Sequence, residues 1–204
     1  ALDDLERHRC TSFVAVPVML SRLLAVPGVE ERDLSRLRVV MTGGARLDPS
    51  LAGRVRAAFG PVLYNFYGST EASCITIATP EDLAAAPGCV GRPPAGTTVA
   101  ILGDDDRPVP PGATGRIFVD TPARFGGYTG GGGKEEGGGL MAVGDLGHLD
   151  EGGRLHVDGR ADDMIVSGGE NVHPGEVEDL LAAHPAVEEA AVVGVPDEEF
   201  GQRL

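Results

Sequence analysis

LRVVMTGGARLDPSLAGRVRAAFGPVLYNFYGSTE, residues 37–71, carries the alternation that sets the architecture. Leu37 to Thr42 is an apolar run of strand length that stops at Gly43-Gly44. Asp48-Pro49 then supplies an N-cap and a first helical residue, which predicts a helix over Ser50 to Phe59. Val62 to Phe66 is a second apolar strand, so the unit reads strand, helix, strand and calls for a parallel sheet. Ligands of such sheets collect at the carboxyl ends of the strands, where Gly43-Gly44 and the segment after Phe66 both fall.

That segment, Asn65 to Glu71, puts an aromatic ring, a hydroxyl and a carboxylate on what reads as one tight turn. Tyr67 can stack on a purine face, Thr70 can donate to a phosphate oxygen, and Glu71 can hold Mg²⁺ through hard oxygen ligation. Gly68 lets the backbone approach a ligand closely. Taken alone, the same seven residues equally describe a strand that ends in a Gly-Ser turn with a buried tyrosine.

Working outward, the N-terminal side predicts a helix from Asp3 to Arg9, a strand from Ser12 to Val16, and a helix from Val18 to Leu24 behind Pro17. From Gly91 to Asp158 the pattern changes to short strands such as Thr98 to Leu102, Gly115 to Val119 and Arg154 to Val157, punctuated by Asp, Gly and Pro turns. Beyond Gly159 come a strand at Met164 to Val166, a helix from Pro174 to Ala183 stopped by His184-Pro185, and a strand from Ala190 to Val195. The expected fold class is α/β, α+β overall. Residues 1–90 form part of a large βαβ domain, 91–161 a small antiparallel, barrel-like β subdomain, and 162–204 the start of a mobile α+β domain. The tract Gly130 to Gly139 imitates a P-loop, but Lys134 is followed by Glu135 and Glu136 rather than Ser or Thr, so a flexible solvent loop is expected.

At 204 residues and 42% hydrophobic positions the chain can bury one or two cores, and its composition is not that of a disordered protein. A formal net charge of −14 opposes long-range attraction to nucleic acid or to an anionic membrane. A nucleotide site here must therefore be local, made of backbone amides, Mg²⁺ and a few cations. Cys10, Cys74 and Cys89 lack any CxxC pair or zinc-spaced histidine, which predicts reduced thiols in a cytoplasmic protein. The longest apolar run, Phe13 to Leu20, is broken by Pro17 and is far short of the ~20 residues that span a bilayer. The scattered histidines have no assignable Ser or Cys partner, which argues against a hydrolytic triad.

Four segments stand in order: Gly43-Gly44-Ala45, Tyr67 to Glu71, Gly144-Asp145, and Gly159-Arg160 followed by Ser167-Gly168-Gly169-Glu170-Asn171. Together they resemble the acyl-adenylate-forming superfamily, specifically its AMP-forming acyl-CoA synthetases, over essentially the whole chain. The resemblance implies that Gly43, Gly44 and Ala45 line the adenine and acyl pockets, and that Asn65, Phe66, Tyr67 and Gly68 border the nucleotide with Tyr67 on the adenine face. It further implies that Thr70 contacts the α-phosphate, that Glu71 holds Mg²⁺, and that Asp145 takes both ribose hydroxyls with support from Arg160. Asp162 would be a hinge, and Gly168 and Gly169 would line the path of CoA. Standing alone, Asp145 would read as a turn residue.

The implied activity is ATP-dependent conversion of a medium- to long-chain fatty acid to acyl-AMP and its transfer to CoA, with Thr70 and Glu71 at the chemistry. An aryl acid, or a non-catalytic nucleotide-binding remnant, is the alternative. Two family pieces have no counterpart in these residues: an N-terminal Ser/Thr/Gly-rich phosphate loop and a C-terminal lysine, the chain's single lysine being Lys134. A fragment of a longer enzyme, weak in adenylation by itself, is therefore expected. Val143 also stands where the family has a threonine.

Overall fold

A computed structural model describes residues 1–182, 184, 186–187, 190–197 and 199–204. Strands β1 (Ser12–Val14), β2 (Val39–Gly43), β3 (Leu63–Ser69) and β4 (Ser73–Ala78) form a sheet in that order, the first two pairings parallel and the last antiparallel. Helices α1 (Leu2–Arg7), α2 (Pro17–Leu24) and α3 (Pro49–Phe59) accompany it. The expected cap is present: Asp48 accepts from the backbone N–H groups of Ser50 (2.5 Å) and Leu51 (3.1 Å), and Pro49 opens the helix. Leu51, Val55 and Phe59 recur at fourfold spacing, so one stripe of α3 is buried with Val40, Leu63 and Leu20 in a shared core.

Asn65 to Glu71 is not one tight turn. Residues through Ser69 belong to β3, and only residues 70–72 make the link to β4. The pairing with β4 decides this, because Asn65, Phe66 and Tyr67 lie opposite Ala78, Ile77 and Thr76 before the register shifts at Gly68. A Cβ at Gly68 would lie 1.9 Å from the carbonyl oxygen of Ser73, so only glycine permits that approach.

After α4 (Pro80–Ala85), capped by Thr79 and Asp82 in reciprocal fashion, the chain crosses to a second sheet. Gly91-Arg92 bridges the two: Arg92 pairs with Ile77 of β4, and Gly91 pairs with Leu155. The second sheet contains β5 (Thr98–Leu102), β6 (Gly115–Asp120), β7 (Glu136–Gly137), β8 (Leu140–Leu149) and β9 (Leu155–Arg160), all antiparallel, in the order β5-β6-β8-β7 with β9 also on β8. Among the described residues no ladder joins β5 to β9, so the sheet is open where a barrel-like unit is expected. Its core takes Ala72 and Ile75 from the β3–β4 hairpin alongside Ile117, Val119, Met141, Val143 and Leu155. Hairpin and second sheet are therefore packed as one layer pair.

The last part holds β10 (Ile165–Ser167), β11 (Glu170–Val172), α5 (Pro174–Ala182), β12 (Val195–Asp197) and β13 (Gly201–Arg203), in sheet order β11-β10-β13-β12. The strand expected over Ala190 to Val195 does not form: only Val195 is in a ladder. Glu178 takes the N–H of Val192 at 2.9 Å, satisfying by side chain a donor that a sheet would have used. Ala183, expected to end the helix, and Pro185 of the expected stop lie outside the described residues.

Candidate active site

The carboxyl end of β3, the middle of β8 and the end of β9 meet at one cleft of about 400 Å³. Asp145 and Arg160 are direct partners in the β8–β9 ladder, which sets them side by side. The Tyr67 hydroxyl donates to Asp145 Oδ2 at 2.5 Å, and Arg160 Nη1 lies 3.2 Å from Oδ1. Gly144 adopts φ +92°, a backbone conformation that side-chain-bearing residues rarely take, and a Cβ there would only touch Arg160 Nη2 at 3.5 Å.

Burial, followed by the charge and the acceptor oxygen of Asp145, drives the Tyr67 phenol far above its ordinary pKa, so the group remains a donor. Asp145 is only 9% exposed and has one partner on each oxygen. A carboxylate has about four lone-pair sites, so acceptor capacity remains for a ligand.

Of the residues expected at the site, Gly44, Ala45, Asn65, Phe66, Tyr67, Gly68, Asp145 and Arg160 line this cleft. Gly43, Thr70, Glu71, Gly168 and Gly169 do not. Gly43 sits beneath it, where a Cβ would meet the Phe66 carbonyl oxygen at 2.6 Å. Gly168 and Gly169 form the β10–β11 turn at φ +59° and +90°, with the Gly168 N–H on the carbonyl of Phe200 at 2.9 Å. Sequence reading misses Arg46, which also lines the cleft beside Gly159 of the Gly159-Arg160 segment. A cation directly after Gly-Gly-Ala at a strand end is the signal that points to Arg46.

Glu71 occupies a second cluster at the β3–β4 link. Its Oε1 accepts from the Tyr128 hydroxyl at 2.7 Å and lies 3.8 Å from Lys134 Nζ, while its carbonyl accepts from the Phe125 N–H at 2.8 Å. The Tyr128 bond is the largest cause holding the Glu71 carboxyl below its usual range. Phe125, Tyr128 and Lys134 thus reach Glu71 from a loop whose glycines, Gly130 to Gly133, are exposed as expected.

Among the described residues no group of three or more His, Cys, Asp or Glu converges as a metal cage. The Glu71 carboxylate and the hydroxyl of Thr70, next to it in sequence, are hard oxygen donors of the kind Mg²⁺ takes, an ion that usually keeps waters and phosphate oxygens as its other ligands. No helix among the described residues is long and apolar enough to cross a membrane.

A hydrogen-bonded carboxylate at the strand-end cleft of a βαβ sheet, with the Glu71 carboxylate three residues beyond the last β3 residue of the cleft, suits a nucleotide-handling enzyme class. The chain belongs to the AMP-binding enzyme family: residues 1–129 match that family and residues 176–204 match the AMP-binding enzyme C-terminal domain. It is 39% identical to the indoleacetate–CoA ligase of Aromatoleum aromaticum, over 98% of this chain and 40% of that one. It is 37% identical to the medium/long-chain-fatty-acid–CoA ligase FadD8 of Mycobacterium tuberculosis, over 98% and 36%. The solved o-succinylbenzoate coenzyme A synthetase of Bacillus subtilis, in complex with ATP and magnesium ion, superposes with a TM-score of 0.87 at 33% identity, covering 98% of this chain and 42% of that one. The chain thus spans about two fifths of the length of the curated relatives it matches.

Proposed function

We propose that this chain supplies the nucleotide-holding face of an AMP-forming acid–thiol ligase, which activates a carboxylic acid with ATP and passes the acyl group to CoA. The observation that carries the reading is the convergence of Tyr67, Asp145 and Arg160 on one cleft. Asp145, nearly buried and pinned on both oxygens, keeps acceptor capacity for the two ribose hydroxyls. Tyr67 offers its ring to the adenine from the same wall, and Gly44 and Ala45 leave the backbone open to base and acyl group.

Attack by the substrate carboxylate on the α-phosphorus forms a C–O–P linkage and expels pyrophosphate. The CoA sulfur then takes the acyl carbon and AMP leaves. Thr70 orients the α-phosphate, and Glu71 and Thr70 are the residues that would hold Mg²⁺. When bound, that ion supplies positive charge to the phosphate oxygens. Gly168 and Gly169 border the thiol's approach in this reading, with Asp162 as the hinge that brings them there. The setting is the cytoplasm, where Cys10, Cys74 and Cys89, all free thiols, stay reduced.

The acid we favour is a medium- to long-chain fatty acid, supported by the exposed apolar Val14, Val16, Val18 and Met19 and by the fatty-acid relative. An aryl acid is the second reading, supported by the indoleacetate relative. Calorimetric titration of the chain with Mg·ATP and with a non-hydrolysable acyl-AMP analogue tests the site. Binding that disappears in Asp145→Ala is expected; equal binding by wild type and variant overturns it. Analogues carrying an alkyl or an indolyl acyl group then separate the two acids.

A further inference from the structure

We propose that Tyr128 is the positioning residue for Glu71, the outer partner that aims this carboxylate at the metal. The inference rests on the reading of Glu71 as the Mg²⁺ ligand and extends it to a residue 57 positions away in sequence. The contact is built into the backbone. Phe125 donates its N–H to the Glu71 carbonyl at 2.8 Å, and its ring meets that of Tyr128 edge-to-face at 5.0 Å, so the phenol is delivered to Oε1 by a segment already tied to residue 71. Phe125 packs in turn against the core of the second sheet.

The two groups on Oε1 differ in kind. Lys134 is a cation 3.8 Å away, and a divalent ion on the same carboxylate would repel it. The Tyr128 hydroxyl is neutral and uses one lone pair, so it can stay in place while the remaining acceptor sites take the metal. Ligating carboxylates are commonly held by such outer hydrogen bonds, and losing one typically costs about 10–100-fold in metal affinity.

The experiment is titration of ATP into the 204-residue chain at stepped Mg²⁺ concentrations, comparing wild type with Tyr128→Phe, Glu71→Gln and Phe125→Leu, with thermal melting of each. The Tyr128 side chain is about half exposed, at 48%, so removing its hydroxyl leaves the fold intact. Tyr128→Phe is expected to raise the Mg²⁺ concentration for half-maximal ATP affinity about tenfold, with ATP binding in EDTA unchanged. Phe125→Leu, which keeps the backbone bond and the phenol but removes the ring that packs on Tyr128, is expected to raise the Mg²⁺ requirement by less than Tyr128→Phe does.

If Glu71→Gln raises the requirement and Tyr128→Phe does not, the positioning role falls and the metal reading stands. If neither moves it, or wild type shows no Mg²⁺ dependence, both fall. A Tyr128→Phe that weakens binding equally with and without Mg²⁺ overturns the role in favour of a purely structural one.

Discussion

Replacing Tyr67 by Phe removes a single oxygen, yet it strips Asp145 of its closer partner. The hydroxyl sits 2.5 Å from Oδ2, whereas Arg160 is 3.2 Å from Oδ1, is about half exposed, and is shared with Asp162 at 3.5 Å. A hydrogen bond to a charged acceptor contributes about 1.5–3 kcal/mol, and Asp145 is too buried for water to substitute freely. Tyr67→Phe is therefore expected to cost about 2 kcal/mol, or roughly 4–8 °C in Tm for a chain of this size.

The pH dependence has a definite sign. The folded phenol pKa lies above its unfolded value of about 10, raised first by burial and then by Asp145, so the contribution is complete below pH 10 and erodes as pH rises past it. Circular-dichroism melts of both proteins between pH 7 and 11 measure this. The gap should be constant to about pH 10 and shrink above it. A variant melting within about 1 °C of wild type at pH 7, or a gap that widens with alkali, would refute the reasoning.

Asp150 behaves in the opposite sense. Burial raises its pKa, but the Arg154 backbone N–H and guanidinium outweigh it and bring the group to about 2. Its stabilisation should be present above about pH 4 and lost as pH falls toward 2, and Asp150→Asn should flatten that acid limb in urea titrations. Asp48→Ala removes two bonds to the first turn of α3 and should cost about 1 kcal/mol, read as a lower urea midpoint with unchanged slope. Thr42 Oγ1 is fully buried with no partner among the described residues, so Thr42→Val, which keeps the shape, should be neutral or stabilising by up to about 1 kcal/mol in the same assay. A clear loss would mean that the hydroxyl has a partner.

What could be read from sequence was what depends on neighbours in sequence. The start of α3 follows from Asp48-Pro49, and Thr98–Leu102 forms a strand within its expected bounds, because caps and β-branched runs act over a few residues. The motif at Asn65 to Glu71 marks the site, but its backbone depends on β4, whose pairing turns an apparent Gly-Ser turn into strand as far as Ser69. The side-by-side placement of Asp145 and Arg160 depends on the β8–β9 register, which no local signal carries. The contacts of Tyr128 and Lys134 with Glu71 are hidden for the same reason: their tract is glycine-rich, and the partner lies more than fifty positions earlier. The apolar run at 190–195 predicts a strand on hydrophobicity, yet a side-chain oxygen of Glu178 claims one of its donors.

The crossing at Gly91 has a consequence for how the molecule comes apart. Ile77 and Arg92 exchange both backbone bonds (3.0 and 3.2 Å), while Val90 and Gly91 hold Leu155 on the other side (2.8 Å each). One short stretch is thus a third rail for two sheets at once. A Cβ at Gly91 would lie 2.0 Å from the Ile77 carbonyl oxygen, so the junction tolerates no side chain. Fraying of either sheet takes partners from the other, and the amide hydrogens of Ile77 and Leu155 should exchange with solvent in one shared opening event.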